Sequence, residues 1–179
     1  MRRWFALSAI GHDRPGIVAD LAQFIYENGC NLEDSSMSRL GSEFAVLLLL
    51  SSTEADAEHR LSSGAKRLEW EKRLTVFLRP LEGEPMRARP YGVTSYEAQA
   101  SGLDKAGIVA RVARCLADQE ANILEMYTEV LPAAESGTPL YRMTISIDVP
   151  NRVTEPELRQ KLEEVASSLQ IEVILKRRG

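Results

Sequence analysis

Apolar residues along the chain fall into two periods, and both periods occur twice in the same order. Residues 4–10 form an apolar-rich run ending at Gly11, which predicts a strand. Across residues 14–28, Ile17, Leu21, Phe24 and Ile25 stand at i, i+4, i+7 and i+8, a single helical stripe that Gly29 can stop. Residues 31–40 read as a polar strand, Gly41 and Ser42 as a tight turn, and residues 43–51 as another strand. Thr53 to Asp56 carries capping-box character and predicts a second helix, with residues 74–79 as the last strand.

The order then repeats. A strand is expected over 91–101, and a helix over 105–119 with Ile108, Val112, Cys115 and Leu116 inward. A strand over 122–131, a hairpin loop over 132–139 and a strand over 140–149 follow. Thr154 opens a capping box with Pro156 in the first turn, leading a helix with Leu158, Leu162, Val165 and Leu169 in register. Residues 171–176 close the unit. Two βαββαβ runs predict an α+β chain of two ferredoxin-like domains, each an antiparallel sheet with helices on one face. The expected domains are 1–79 and 91–179, joined by a linker over 80–90 that carries three prolines and a glycine.

The repetition extends to identity. From Gly11 to Asn31, eight of twenty-one residues recur at a constant offset of 91, so that Asp13-Arg-Pro-Gly16 returns as Asp104-Lys-Ala-Gly107. The two central strands differ, however. Tyr141 to Asp148 alternates apolar and polar residues, as a sheet with one wet face requires. Phe44 to Leu50 is apolar on both faces, which predicts a further covering layer, read here as a homodimer contact.

Composition narrows the chemistry. A net charge of −4 disfavours direct nucleic-acid binding, and no apolar run is long enough to span a bilayer. Residues 1–10 look faintly like a signal peptide but run straight into the first repeat motif, so the chain is read as cytoplasmic. Cys30 and Cys115 occupy unmatched positions in the repeats and read as buried thiols. His12 and His59 have no second ligand at metal-binding spacing, and neither a metal nor a cofactor is expected.

The most faithfully repeated segment is a turn that opens a helix. Asp13 and Asp104 are expected as N-caps, so Asp13→Ala should cost about 1 kcal/mol. The N–H groups of Gly16 and Ile17, and of Gly107 and Ile108, would then face the positive end of the helix dipole, where a carboxylate is favoured. An aspartate could accept an ammonium group. Asn31 and Asn122 begin the next strand and could offer an amide to the turn of a neighbouring domain. These residue types suit a zwitterion. Each aspartate could equally be only a cap and each asparagine only a turn residue.

The segments Asp13-Arg-Pro-Gly-Ile-Val18, Gly29-Cys-Asn-Leu-Glu-Asp34 and Gly41-Ser-Glu-Phe44 resemble an ACT domain at these spacings. Over nearly its whole length the chain is similar to the tandem-ACT family of glycine cleavage system transcriptional repressors, a likeness that Ser136-Gly-Thr-Pro-Leu-Tyr141 shares. The resemblance implies ligand binding between two domains, by the loop before the first helix and the asparagine of the second strand. By that likeness Asp13, Gly16, Ile17 and Asn31, with Asp104, Gly107, Ile108 and Asn122, would hold a small amino acid, glycine or serine. The second copy departs from the pattern with Leu103, Ala106 and Glu120 in place of His12, Pro15 and Gly29.

The implied function is a non-catalytic regulator that contacts a DNA-binding regulator or other protein, or a ligand-independent adaptor built from the same domains. An acylphosphatase would need a glycine-rich phosphate cradle around Arg14, and RNA binding would need more sheet aromatics than Phe44 and Tyr141.

Overall fold

The structure is a computed structural model that describes residues 1–85, 91–132 and 139–178. The first repeat forms β1 (Arg3–His12), α1 (Ile17–Glu27), β2 (Asn31–Leu40), β3 (Glu43–Ser52), α2 (Ala57–Lys72) and β4 (Leu74–Leu81). The second forms β5 (Val93–Leu103), α3 (Ile108–Asp118), β6 (Asn122–Pro132), β7 (Pro139–Pro150), α4 (Glu155–Leu169) and β8 (Ile171–Arg177). Each builds a four-stranded antiparallel sheet, ordered β2-β3-β1-β4 and β6-β7-β5-β8. The α+β, ferredoxin-like fold is therefore present twice, in compact units of Met1–Ala88 and Arg89–Gly179.

Strand alternation places every second residue of the central strands under the helices. In the first unit Phe5, Leu7 and Ala9 of β1 and Phe44, Val46, Leu48 and Leu50 of β3 pack against Ile17, Leu21 and Phe24 of α1 and Leu61 and Leu68 of α2. In the second, Met143, Ile145 and Ile147 of β7 meet Ile108, Val112 and Leu116 of α3 and Leu158 and Leu162 of α4. Each fully buried large side chain contributes roughly 1.5–3 kcal/mol.

Helix starts differ from the expectation. Helix α1 begins at Ile17, and its N-cap is Gly16 in the left-handed region at φ 87°; Gly107 caps α3 in the same way at φ 91°. Asp13 and Asp104 are therefore not caps, and the loss expected for Asp13→Ala through a broken cap does not apply. Their backbone N–H groups are used elsewhere, donating to the carbonyls of Ser42 and Pro139. The glycines satisfy a backbone requirement, since a Cβ at either would meet open space.

Thr53 forms no capping box either: α2 starts at Ala57 behind Asp56, whose side chain makes no capping bond. At Thr154 the box is complete, with both the Thr154 hydroxyl and the Glu157 carboxylate accepting backbone N–H bonds. Strand β4 runs past the expected linker start to Leu81, with Pro80 opposite Phe5. Proline fits there because β4 is an edge strand. Linker residues 86–90 and hairpin residues 133–138 lie outside the described residues. Cys30 is buried as expected, whereas Cys115 is only half-buried. Among the described residues, no helix is long and apolar enough to cross a membrane.

The helix-free faces of the two sheets are unlike. In the first unit this face exposes large apolar side chains, with Ile10 52%, Leu47 57% and Phe77 72% exposed. In the second it is polar and internally bonded. There the Ser95 hydroxyl donates to the Asp148 carboxylate at 2.5 Å, and Arg178 donates to the Ser146 hydroxyl and lies 3.5 Å from Glu97.

Candidate functional site

The helix-opening loop of the first unit is fixed from both sides. Strand β1 ends at His12, the Asp13 N–H donates to the Ser42 carbonyl at 2.8 Å, and Gly16 turns the chain into α1. The Asp13 carboxylate lies 3.5 Å from the Arg39 guanidinium of β2. Ile17 sends its side chain into the core, so only its backbone faces the loop; its N–H makes a long 3.4 Å bond to the Arg14 carbonyl.

Cations gather beside this loop. His12, Arg14, Lys72 and Arg73 line a cleft of about 600 Å³ together with Glu71. Arg14 and Lys72 converge on Asp20 at 2.5 and 3.0 Å, and their bonds hold its carboxyl below the usual carboxylate range. Arg14 and Lys72 are thus already engaged by the protein. His12 lies 3.6 Å from the Glu43 carboxylate.

In the second unit the corresponding loop is built differently. Lys105, at the position of Arg14, donates to the Leu169 carbonyl and the Gln170 side chain. An adjoining cleft of about 590 Å³ includes Leu103, Tyr141, Arg142, Gln170 and Glu172. Tyr141 is 8% exposed, and its hydroxyl has no partner of hydrogen-bonding geometry among the described residues. Burial pushes its pKa up; nearby Thr128 partly offsets this, and the Asp104 carboxylate adds to the rise. The same place in the first unit, opposite Gly11, holds Phe44.

The expected site residues do not all meet within one unit. Asp13, Gly16 and Ile17 share one end of the first sheet, and Asp104, Gly107 and Ile108 share the matching end of the second. Asn31 pairs with Ser51 and Asn122 with Asp148, each seven residues along the central strand from the partner of Gly11 or Gly102. At about 3.4 Å per residue, each asparagine lies roughly 24 Å of strand from the loop of its own unit. Loop and asparagine therefore form no common site within either unit.

Sequence reasoning missed Arg39, Arg73 and the Tyr141 hydroxyl. The repeat offset could have flagged the last, since it sets a tyrosine where the first copy has phenylalanine. Phe44 and Tyr141 both lie on the helix side of their sheets and present no rings for base stacking on the open faces. No cluster of three metal-ligating side chains occurs among the described residues.

Comparison with known proteins agrees with the fold. The ACT domain family model matches residues 4–78. The UPF0237 protein of Methanopyrus kandleri is 39% identical over 66 residues, 37% of this chain and 69% of that protein. A crystal structure of an unknown protein from Galdieria sulphuraria superposes with a TM-score of 0.84 at 29% identity, covering 100% of both chains. The chain belongs to the ACT-domain family, and its second unit repeats the fold of the matched first.

Within that class a narrower likeness runs through almost the whole molecule. The glycine cleavage system transcriptional repressor of Escherichia coli is 24% identical over 168 residues, 94% of this chain and 86% of that protein. A protein proposed to be such a repressor shares the fold with a TM-score of 0.75 at 18% identity, covering 99% of this chain and 98% of that one. The chain is a regulatory ACT-domain protein related to these repressors.

Proposed function

We propose that this protein is a non-catalytic, cytoplasmic regulator that binds a small amino acid, glycine or serine, and acts through contact with a DNA-binding protein to control glycine cleavage genes. The observation that carries this reading is the pair of helix-opening loops. Both units place a left-handed glycine, an aspartate that does not cap the helix and the first turn of a helix at the same end of the sheet. The helix dipole and the unshared N–H groups favour a carboxylate there, and Asp13 or Asp104 can accept an ammonium group. The likeness to the E. coli repressor supplies the regulatory output.

Each asparagine lies far from the loop of its own unit, so within a unit the loop alone would hold the ligand. The first loop is the better candidate, since its cleft carries Arg14, Lys72 and Arg73. Glycine has about five heavy atoms, which limits affinity to micromolar at best, suited to an abundant metabolite.

An adaptor that needs no ligand is the second reading. It is favoured by the Asp13–Arg39 and Lys105–Gln170 contacts, which already occupy groups a zwitterion would use. Calorimetric titration with glycine, serine and the remaining amino acids separates the two. Saturable heat that Asp13→Ala or Asp104→Ala abolishes is expected of the sensor and names the working loop. Silence across the panel at millimolar concentrations would leave the adaptor.

A further inference from the structure

The open face of the first sheet has a pattern that its apolar character alone does not require. Beyond the row Asn31, Ser51, Trp4, Leu81, where the buried Trp4 ring lies under Arg2, cross-strand register arranges this face in three rows, each running β2, β3, β1, β4. The first row is Asp34, Leu49, Ala6, Arg79. The second is Ser36, Leu47, Ser8, Phe77. The third is Ser38, Ala45, Ile10, Thr75. Each row pairs a large apolar residue with a small one across the middle, and the first ends in an acid on one edge and a base on the other.

We propose that this face binds the same face of a second copy of the chain, about a two-fold axis running between the sheets along the strands. That operation reverses each row against itself. Leu49 then faces the partner's Ala6, Leu47 faces the partner's Ser8, and Ile10 faces the partner's Ala45. Large side chains meet small ones in all three rows, as interdigitating sheets require. The same operation sets Asp34 against the partner's Arg79 and Arg79 against the partner's Asp34. Neither has an ion-pair partner among the described residues of its own chain, and Asp34 accepts only the N–H of its neighbour Ser35. A two-fold across the strands would instead face the first row with the third, where Asp34 meets Ser38.

Leu47, Phe77 and Ile10 keep half or more of their surface exposed, so their side chains are available for docking. Four strands about 4.8 Å apart and three rows about 6.8 Å apart give roughly 400 Å² of sheet per copy. The pair thus covers about 800 Å², below the roughly 1,200 Å² at which stable specific contacts begin, and predicts a weak, concentration-dependent dimer. The contact is separate from the helix-opening loops, so it stands whether or not an amino acid binds.

Sedimentation of the full chain over a concentration series tests it, beginning without added ligand. A monomer–dimer equilibrium is expected; a monomer at every concentration up to about 1 mM overturns the proposal. Leu47→Asp and, separately, Phe77→Ser should each raise the dissociation constant at least about tenfold while leaving the circular dichroism and melting temperature near those of the parent. A dimer that survives both uses another surface. The charge pairs then fix the orientation. Asp34→Arg alone and Arg79→Asp alone should each weaken the dimer several-fold, and the double exchange should recover it, because acid and base again face each other. Weakening by both single changes without recovery in the double would exclude this axis.

Discussion

The two repeats share a fold and nearly the same loop, yet they treat the face away from the helices in opposite ways. In the first unit that face exposes Leu47, Phe77 and Ile10 among serines and a threonine, and its edge charges Asp34 and Arg79 have no ion-pair partner among the described residues. In the second it is covered by its own bonds, from Ser95 to Asp148 and from Arg178 to Ser146 and Glu97. Duplication keeps what the topology needs, namely the alternating core residues and the left-handed glycine that opens each first helix. It leaves free the residues that point away from the core, and there the copies have diverged. A sheet face can be shielded by a partner or by its own polar network; the second unit uses the network, and the first leaves Leu47 and Phe77 exposed.

Core truncation gives the largest effect and asks whether the copies are equally robust. Leu61 in α2 and Leu158 in α4 are both fully buried. Leu61→Ala and Leu158→Ala are each expected to cost about 2–5 kcal/mol, read as a lower urea midpoint. A cost under about 1 kcal/mol in one of them would show that its unit repacks around the void, and the copies would no longer count as equivalent scaffolds.

A smaller effect is expected where the repeats place different groups at one position. Phe44 and Tyr141 occupy matching sites beside the helix-opening loops, both buried. Adding a hydroxyl with Phe44→Tyr should destabilise by about 1–3 kcal/mol, because a buried polar atom arrives without a partner. Removing one with Tyr141→Phe should be neutral or slightly stabilising in the free protein. If Tyr141→Phe instead lowers stability by more than about 1 kcal/mol, the hydroxyl has a partner in solution and the contrast between the loops narrows.

Much of this was legible in the residues. The 91-residue offset and the change between two-fold and helical periods gave both βαββαβ units, and residues 31–40 were placed to the residue because a tight turn and a glycine bracket them. The helix starts were misread for a physical reason. Asp13 and Asp104 are good capping types, but a glycine at φ near 90° three residues later does the same job through the backbone, and side-chain preference alone does not reveal that. The site was legible as a loop and not as a pocket. Sequence showed which residues share a turn, but the length of β3 and β7 decides that each asparagine lies at the far end of its own sheet.

The finest contrast lies between the two second helices, where similar sequences give different starts. Thr154 and Glu157 complete a reciprocal pair of backbone bonds, whereas Thr53 stands outside α2 and takes part in none. Thr154→Ala should cost about 1 kcal/mol, and Thr53→Ala should fall within about 0.5 kcal/mol of the parent in urea unfolding. The pair also carries a pH signature. The Thr154 N–H and hydroxyl hold the Glu157 carboxyl below its ordinary value, so its folded pKa is depressed. A depressed acid stabilises the fold above its unfolded pKa, and that contribution disappears as pH falls through the folded value. Stability of the parent should therefore drop below about pH 4.5 by more than that of Glu157→Gln, while the two should run parallel above about pH 6. Parallel curves through the acid range would mean that the box is open in solution, and the difference between the second helices would reduce to one of length.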